Sequence, residues 1–182
     1  MTDENITRRE FMKRILGMAL VGGLGLSEFG CFVFEQKEPT VKKALEELLK
    51  SEEVKMVIGE QDSSHTVVAA VELAQMFKEP SVLVYLDSEI NELEEGIVIG
   101  VPETNKAVRR YIPDSGCLAI KKGDVLVTLN PFFPKQRLII ITQHNNVENH
   151  FVEAIDYLKN NWEYFNARSV EIDPQNNQHY FI

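Results

Sequence analysis

Little in this sequence suggests catalytic chemistry. Only two cysteines occur in 182 residues, Cys31 and Cys117. Two do not make a disulfide framework, and an isolated Cys117 reads as a small buried apolar side chain. The CxxC pair, the HExxH helix, the Walker phosphate loop and the GxSxG elbow are all missing. That removes the common metal, nucleotide and serine-hydrolase signatures, and no cofactor is expected. Positive charge is also scarce: 19 Lys and Arg face 28 Asp and Glu, for a net charge of −9. Such a surface repels phosphate backbones, and no Lys/Arg block relieves it, so nucleic acid is not an expected partner. Long repeats and low-complexity tracts are absent too. What is present is ordinary for a folded chain, 44% hydrophobic and 26% charged, and long enough for one domain with an extension.

The extension is at the front. Thr7-Arg8-Arg9-Glu10-Phe11-Met12-Lys13 resembles the twin-arginine export consensus, with Arg8, Arg9, Phe11 and Lys13 in their places and Met12 standing for leucine. A mildly apolar, glycine-bearing run follows, as in twin-arginine signals. An amphipathic helix of the globular body is the competing reading, but residues 15–26 have no polar face. The 20 residues 15–34 carry one charge, Glu28. As a helix they span about 30 Å, the thickness of a bilayer core. Arg8, Arg9, Lys13 and Arg14 would hold their leading end in the cytoplasm. Gly30-Cys31 ends like a lipobox, which makes Cys31 a lipidation candidate. Residues 1–34 are therefore expected to be a signal or membrane anchor, with residues 35–182 outside the cytoplasmic membrane. The implied partners are the twin-arginine translocation machinery, the membrane through this segment, and other cell-surface proteins.

The body reads as α/β. "PTVKKALEELLK" spaces Val41, Ala44, Leu45, Leu48 and Leu49 as one helix face behind a Thr40 cap. "VKMVIG" (54–59) is a short β-branched run of the kind buried on both faces, and "SVLVYL" (81–86) and "GIVIGV" (96–101) are the next two strands. Between the first two, a helix capped by Ser64 or Thr66 presents Val67, Ala70, Val71, Ala74 and Phe77. A third helix is expected to open near Pro102. Residues 125–129 and 137–142 form a hairpin. A helix capped by Asn145 or Asn146 then shows Val147, Phe151, Ala154, Ile155 and Leu158, and "ARSVEID" and "HYFI" close the sheet. Alternation of this kind predicts a mixed, mostly parallel sheet flanked by helices.

The order of these segments resembles archaeal surface-layer (S-layer) proteins over residues 54–160. The matching places are Gly59 at a strand end, Val67-Val68-Ala69-Ala70 in the following helix, Gly100, Pro102 and Asn105 in a Gly-Pro-x-x-Asn segment, and Gly123-Asp124 ahead of a later strand. Thr66 replaces the family's cap aspartate, Val101 its second glycine, and the Asp-Thr-Arg helix start is missing. Bacterial cell-wall-binding repeats share the strand-Gly-loop-helix pattern more distantly. The resemblance implies a non-enzymatic, structural or interaction role in the cell envelope, as a single module rather than a lattice-building subunit.

The competing function is an exported small-ligand-binding protein or enzyme using strand-end loops 59–65 and 100–105. Ligands favour such positions in parallel sheets. The candidate residues are Gly59, Asp62, Ser63, Ser64, His65, Gly100 and Asn105. Asp, Ser and His within one loop invite a hydrolase reading, but a relay normally draws its members from separate loops, and a helix cap with a solvated turn explains them more simply. His144 and His150 with Glu148 or Glu153 lack an assured further metal ligand. Asp87, Glu89, Glu92, Glu94 and Glu95 lack the EF-hand spacing and read as a solvated acidic turn.

Overall fold

The computed structural model describes residues 38–78, 80–114, 118–133, 136–145 and 148–182. The export motif at Arg8, Arg9, Phe11 and Lys13, the apolar run 15–34, Cys31, Cys117 and Val147 lie outside the described residues. Residues from Pro39 to Ile182 form one compact unit.

The unit opens with α1, Val41–Leu48, where Thr40 Oγ1 accepts from Lys43 N at 3.2 Å and Val41, Ala44, Leu45 and Leu48 are buried. Then come β1 (Glu53–Ile58), α2 (Ser64–Ala74), β2 (Ser81–Leu86), β3 (Gly96–Ile99), α3 (Lys106–Tyr111), β4 (Val125–Leu129), β5 (Leu138–Gln143) and α4 (Phe151–Asn161). A 3-10 turn at Trp162–Tyr164 leads into β6 (Ser169–Asp173) and β7 (Gln178–Phe181). Among the described residues seven strands form one sheet in the order β2-β1-β3-β5-β4-β6-β7.

The ladders β1–β2, β1–β3 and β3–β5 are parallel, and β4–β5, β4–β6 and β6–β7 are antiparallel. The sheet is therefore mixed in equal parts, not mostly parallel. The reason is connection length: β4–β5 and β6–β7 are hairpins, too short to carry a crossover helix. Every residue of β3, β4 and β5 is buried, so the sheet's centre is covered on both sides.

Alternation splits the core in two. Val54, Met56 and Ile58 of β1 face a large cluster with Leu45, Leu48, Leu73, Phe151, Ile155 and Leu158, under α1, α2 and α4. Val57 faces the other way, into a cluster with Val98, Ile140, Val108 and Tyr111 under α3. Among the described residues no helix is long and apolar enough to cross a membrane.

Three helix starts differ from the expectation. The cap of α2 is Ser63, whose Oγ accepts from Thr66 N at 3.3 Å. The helix buries Thr66, Ala69, Ala70 and Leu73, leaving Val67 40% and Val71 57% exposed. In "VVAAV" nearly every position is apolar, so hydrophobic spacing cannot fix the rotation. Helix α3 starts after Asn105, not at Pro102, because the Asn105 side chain supplies the cap, accepting from Val108 N at 3.0 Å. Helix α4 starts at Phe151 behind His150, which makes no side-chain cap bond. Asn149 Oδ1 takes the Phe151 N–H instead, at 3.1 Å.

Candidate functional site

Strands β1 and β3 are parallel neighbours whose following helices leave to opposite faces of the sheet. Helix α2 joins the first core cluster and α3 the second. That geometry opens a crevice at the strand ends, the usual seat of a ligand in a parallel sheet. Four of the candidate residues meet there: Gly59, Asp62, Gly100 and Asn105.

They meet by closing on one another. Asp62 Oδ2 accepts from Gly59 N at 2.6 Å and from Asn105 Nδ2 at 3.4 Å, and Asp62 Oδ1 accepts from the Thr104 hydroxyl. The same Asn105 Nδ2 also donates to Ile99 O at 3.0 Å. Both glycines make room for this carboxylate. A Cβ on Gly100, at φ +148°, would stand 2.6 Å from Asp62 Oδ2; one on Gly59 would stand 2.6 Å from Thr104 O. Burial pushes the Asp62 carboxyl above its ordinary value, and the bonds from Thr104, Gly59 and Asn105 pull against that rise.

Further stitches hold the loops. Asp87, just after β2, accepts from Glu60 N at 3.0 Å and from Lys106 N at 2.6 Å. It is buried and fully engaged, which corrects its reading as part of a solvated acidic turn. Asn149 Nδ2, from the loop after β5, donates to Ser63 Oγ at 2.9 Å and Thr66 Oγ1 at 3.1 Å. Asn145 Oδ1 accepts from Glu103 N at 3.4 Å. The sequence signal for Asp87 was its place directly after a strand. For Thr104 no local signal existed, because Asp62 lies far away in the chain; Asn149 is readable locally as a partner for the Phe151 N–H, but not as a tie to Ser63 and Thr66.

The remaining candidates do not converge. Ser63 is spent as a helix cap, and Ser64 and His65 are exposed at the start of α2. Among the described residues no group of three or more His, Cys, Asp or Glu is placed to hold a metal. His144 Nε2 lies 3.0 Å from Ile120 O, and the His150 N–H goes to Gln143 Oε1 at 3.2 Å. Glu89 accepts from Leu86 N at 2.8 Å, while Glu95 pairs with Arg137.

The open space beside the crevice is a depression of about 120 Å³, lined by Glu60, Asp87, Glu103, Thr104, Lys106 and Arg109. That is well below the roughly 300–1,000 Å³ of small-molecule pockets. Arg109 is not offered to a ligand there. Its Nε donates to Pro102 O at 2.7 Å and its Nη2 to Glu103 O.

A separate acidic group lies at the same end of the sheet, where β4 begins beside the end of β5. Asp124, just before β4, is 6% exposed, and Asp124 Oδ2 has no hydrogen-bond donor among the described residues. Burial, a side-chain hydrogen bond with Glu171 and the nearby Asp173 and Glu171 charges push its carboxyl up to about 7, against a smaller lowering by Lys121. Two carboxylates share a hydrogen bond only if one carries a proton. Glu171 Oε1 also accepts from Lys121 N at 2.9 Å.

No family model, characterised protein or solved structure matches the chain, so the reading of its function rests on the residues themselves.

Proposed function

We propose that the chain is an exported or membrane-anchored cell-envelope protein, a surface-layer-like module with a structural or interaction role rather than an enzyme. One observation carries this. The two strand-end loops that would form a ligand site are instead bonded to each other through Asp62, and the remaining depression of about 120 Å³ is too small for an ordinary substrate. A binding protein needs open convergent groups; here the side chains of Asp62, Asp87, Thr104, Asn105 and Arg109 are taken up by bonds within the protein.

The flank of the domain suits association. Strand β2, "SVLVYL", is an uncharged strand that, among the described residues, lies at the sheet edge and pairs on one side only, with Leu83 and Val84 exposed. Val67, Val68 and Val71 of α2 also point outward. Unblocked apolar edges of this kind pair with other chains. Other cell-surface proteins are the partners this reading assigns, and the Arg8-Arg9 motif assigns delivery to the twin-arginine machinery.

The test is cell fractionation of the wild type beside an Arg8→Lys/Arg9→Lys variant. The wild type is expected in the envelope fraction and digestible by protease added to intact cells, with the variant retained inside. Wild-type chain found in the cytoplasm and shielded from protease would sink the proposal.

A further inference from the structure

We propose that the end of the sheet where the parallel strands begin faces a lipid bilayer, with Phe132 and Phe133 seated in its interfacial layer. This rests on the anchor reading above and adds an orientation to it.

The two rings are exposed, Phe132 at 40% and Phe133 at 58%, in the connection from β4 to β5. Hydrogen bonds fix the backbone beside them. Phe132 N donates to Asn130 Oδ1 at 3.0 Å, Asn130 Nδ2 to Gln136 Oε1 at 2.7 Å, and Gln136 N to Phe133 O at 3.0 Å. A water-facing loop gains nothing from two adjacent phenylalanines, whereas a lipid interface accepts them.

The chain enters the domain at this same end. Val41 N bonds Ala167 O at 2.8 Å and Lys42 N bonds Phe165 O at 3.0 Å. The next residue, Arg168, accepts through its carbonyl from Leu129 N at 3.0 Å and reaches Asn130 O at 3.5 Å, which is the mouth of the Phe132–Phe133 turn. Tyr164, 61% exposed, sits two residues before Asn166 on this edge and adds a third aromatic of the kind found at membrane surfaces.

Tether length selects the partner. If residues 15–34 span the bilayer, only residues 35–38 separate that span from Pro39. At most about 3.6 Å per residue, they reach about 15 Å. The interfacial layer is itself about 5–8 Å deep on each side of the hydrocarbon. The aromatic end is thus held within reach of lipid, before any other partner.

The test uses the full chain in phosphatidylcholine vesicles whose acyl chains carry bromine. The native tryptophan is removed by Trp162→Phe, and Phe133→Trp is compared with Lys122→Trp at the opposite end of the sheet. The Phe133→Trp variant is expected to show blue-shifted emission and strong bromine quenching, and the Lys122→Trp variant neither. If the chain floats with the vesicles but both Trp variants behave alike, the orientation is wrong while the anchor stands. If the chain does not float with vesicles, the anchor reading fails and this inference falls with it.

Discussion

Replacing Asp124 by asparagine should remove a pH-dependent weakness from the folded domain. The Asp124 carboxyl titrates near 7 in the folded chain against 3.8 as its ordinary value, because burial and its carboxylate neighbours Glu171 and Asp173 disfavour its charge. A carboxyl whose pKa is raised by folding favours the folded state when protonated. Its contribution is complete below 3.8 and is lost as pH rises through about 7. At about 1.4 kcal/mol per pH unit, the interval between those values is worth up to about 4 kcal/mol. Asparagine keeps the shape and donates an N–H to Glu171 without needing a proton. The assay is urea unfolding of wild type and Asp124→Asn in parallel from pH 5 to pH 8. Subtracting one profile from the other cancels every other titrating group. The variant is expected to gain on the wild type by about 1.4 kcal/mol per pH unit up to about pH 7. The two should then run parallel, the variant having gained up to about 3 kcal/mol on the wild type since pH 5. A difference that does not change with pH, or a variant weaker than wild type at pH 8, would refute the shared-proton account of this group.

Other expectations follow from the same geometry. Asp62→Ala removes the acceptor for Gly59 N, Thr104 Oγ1 and Asn105 Nδ2. It should cost about 3 kcal/mol in urea unfolding, and a loss under about 0.5 kcal/mol, the scale of an ordinary surface change, would mean that Asp62 does not bind the loops together. Gly100→Ala, with a Cβ 2.6 Å from Asp62 Oδ2 and φ at +148°, should cost about 2 kcal/mol or more. At Gly123, φ +99° with open space around it, alanine should cost about 1 kcal/mol from backbone strain alone; equal losses at the two sites would argue against the crowding at Gly100. His179 packs among Tyr157, Phe165 and Phe181, and burial lowers its pKa below 6.5. Its share of stability is therefore complete above 6.5 and is lost below 6.5, as pH falls through the lowered value, and an NMR titration of its ring should give a midpoint below 6.5; a midpoint at or above 6.5 would contradict it.

What could be read from the sequence divides along physical lines. The central strands announce themselves because a strand buried on both faces is an apolar, largely β-branched run, as "GIVI" and "LIIIT" are; "VKMVI" fits it in part, with Lys55 exposed. The face of α4 was legible because Phe151, Ala154, Ile155 and Leu158 alternate with charged residues. The face of α2 was not, since "VVAAV" offers apolar groups in every direction, and tertiary packing chose Ala69, Ala70 and Leu73. The strand-end glycines and Asn105 stood out by position. Their closure onto Asp62 did not, because it depends on Thr104 and Asn105, more than forty residues further along the chain. Asp87 was misread for the same reason: its charge looked solvent-bound in "DSEINELEE", yet its partners are backbone N–H groups of two other loops.

A cell-impermeant amine reagent applied to intact cells, followed by mass spectrometry, tests the envelope reading most directly. Lys106 and Lys122 are exposed on the described domain. An exported module predicts that both are tagged while the cells are whole. Tagging of these lysines only after lysis would place the domain inside and contradict the envelope role.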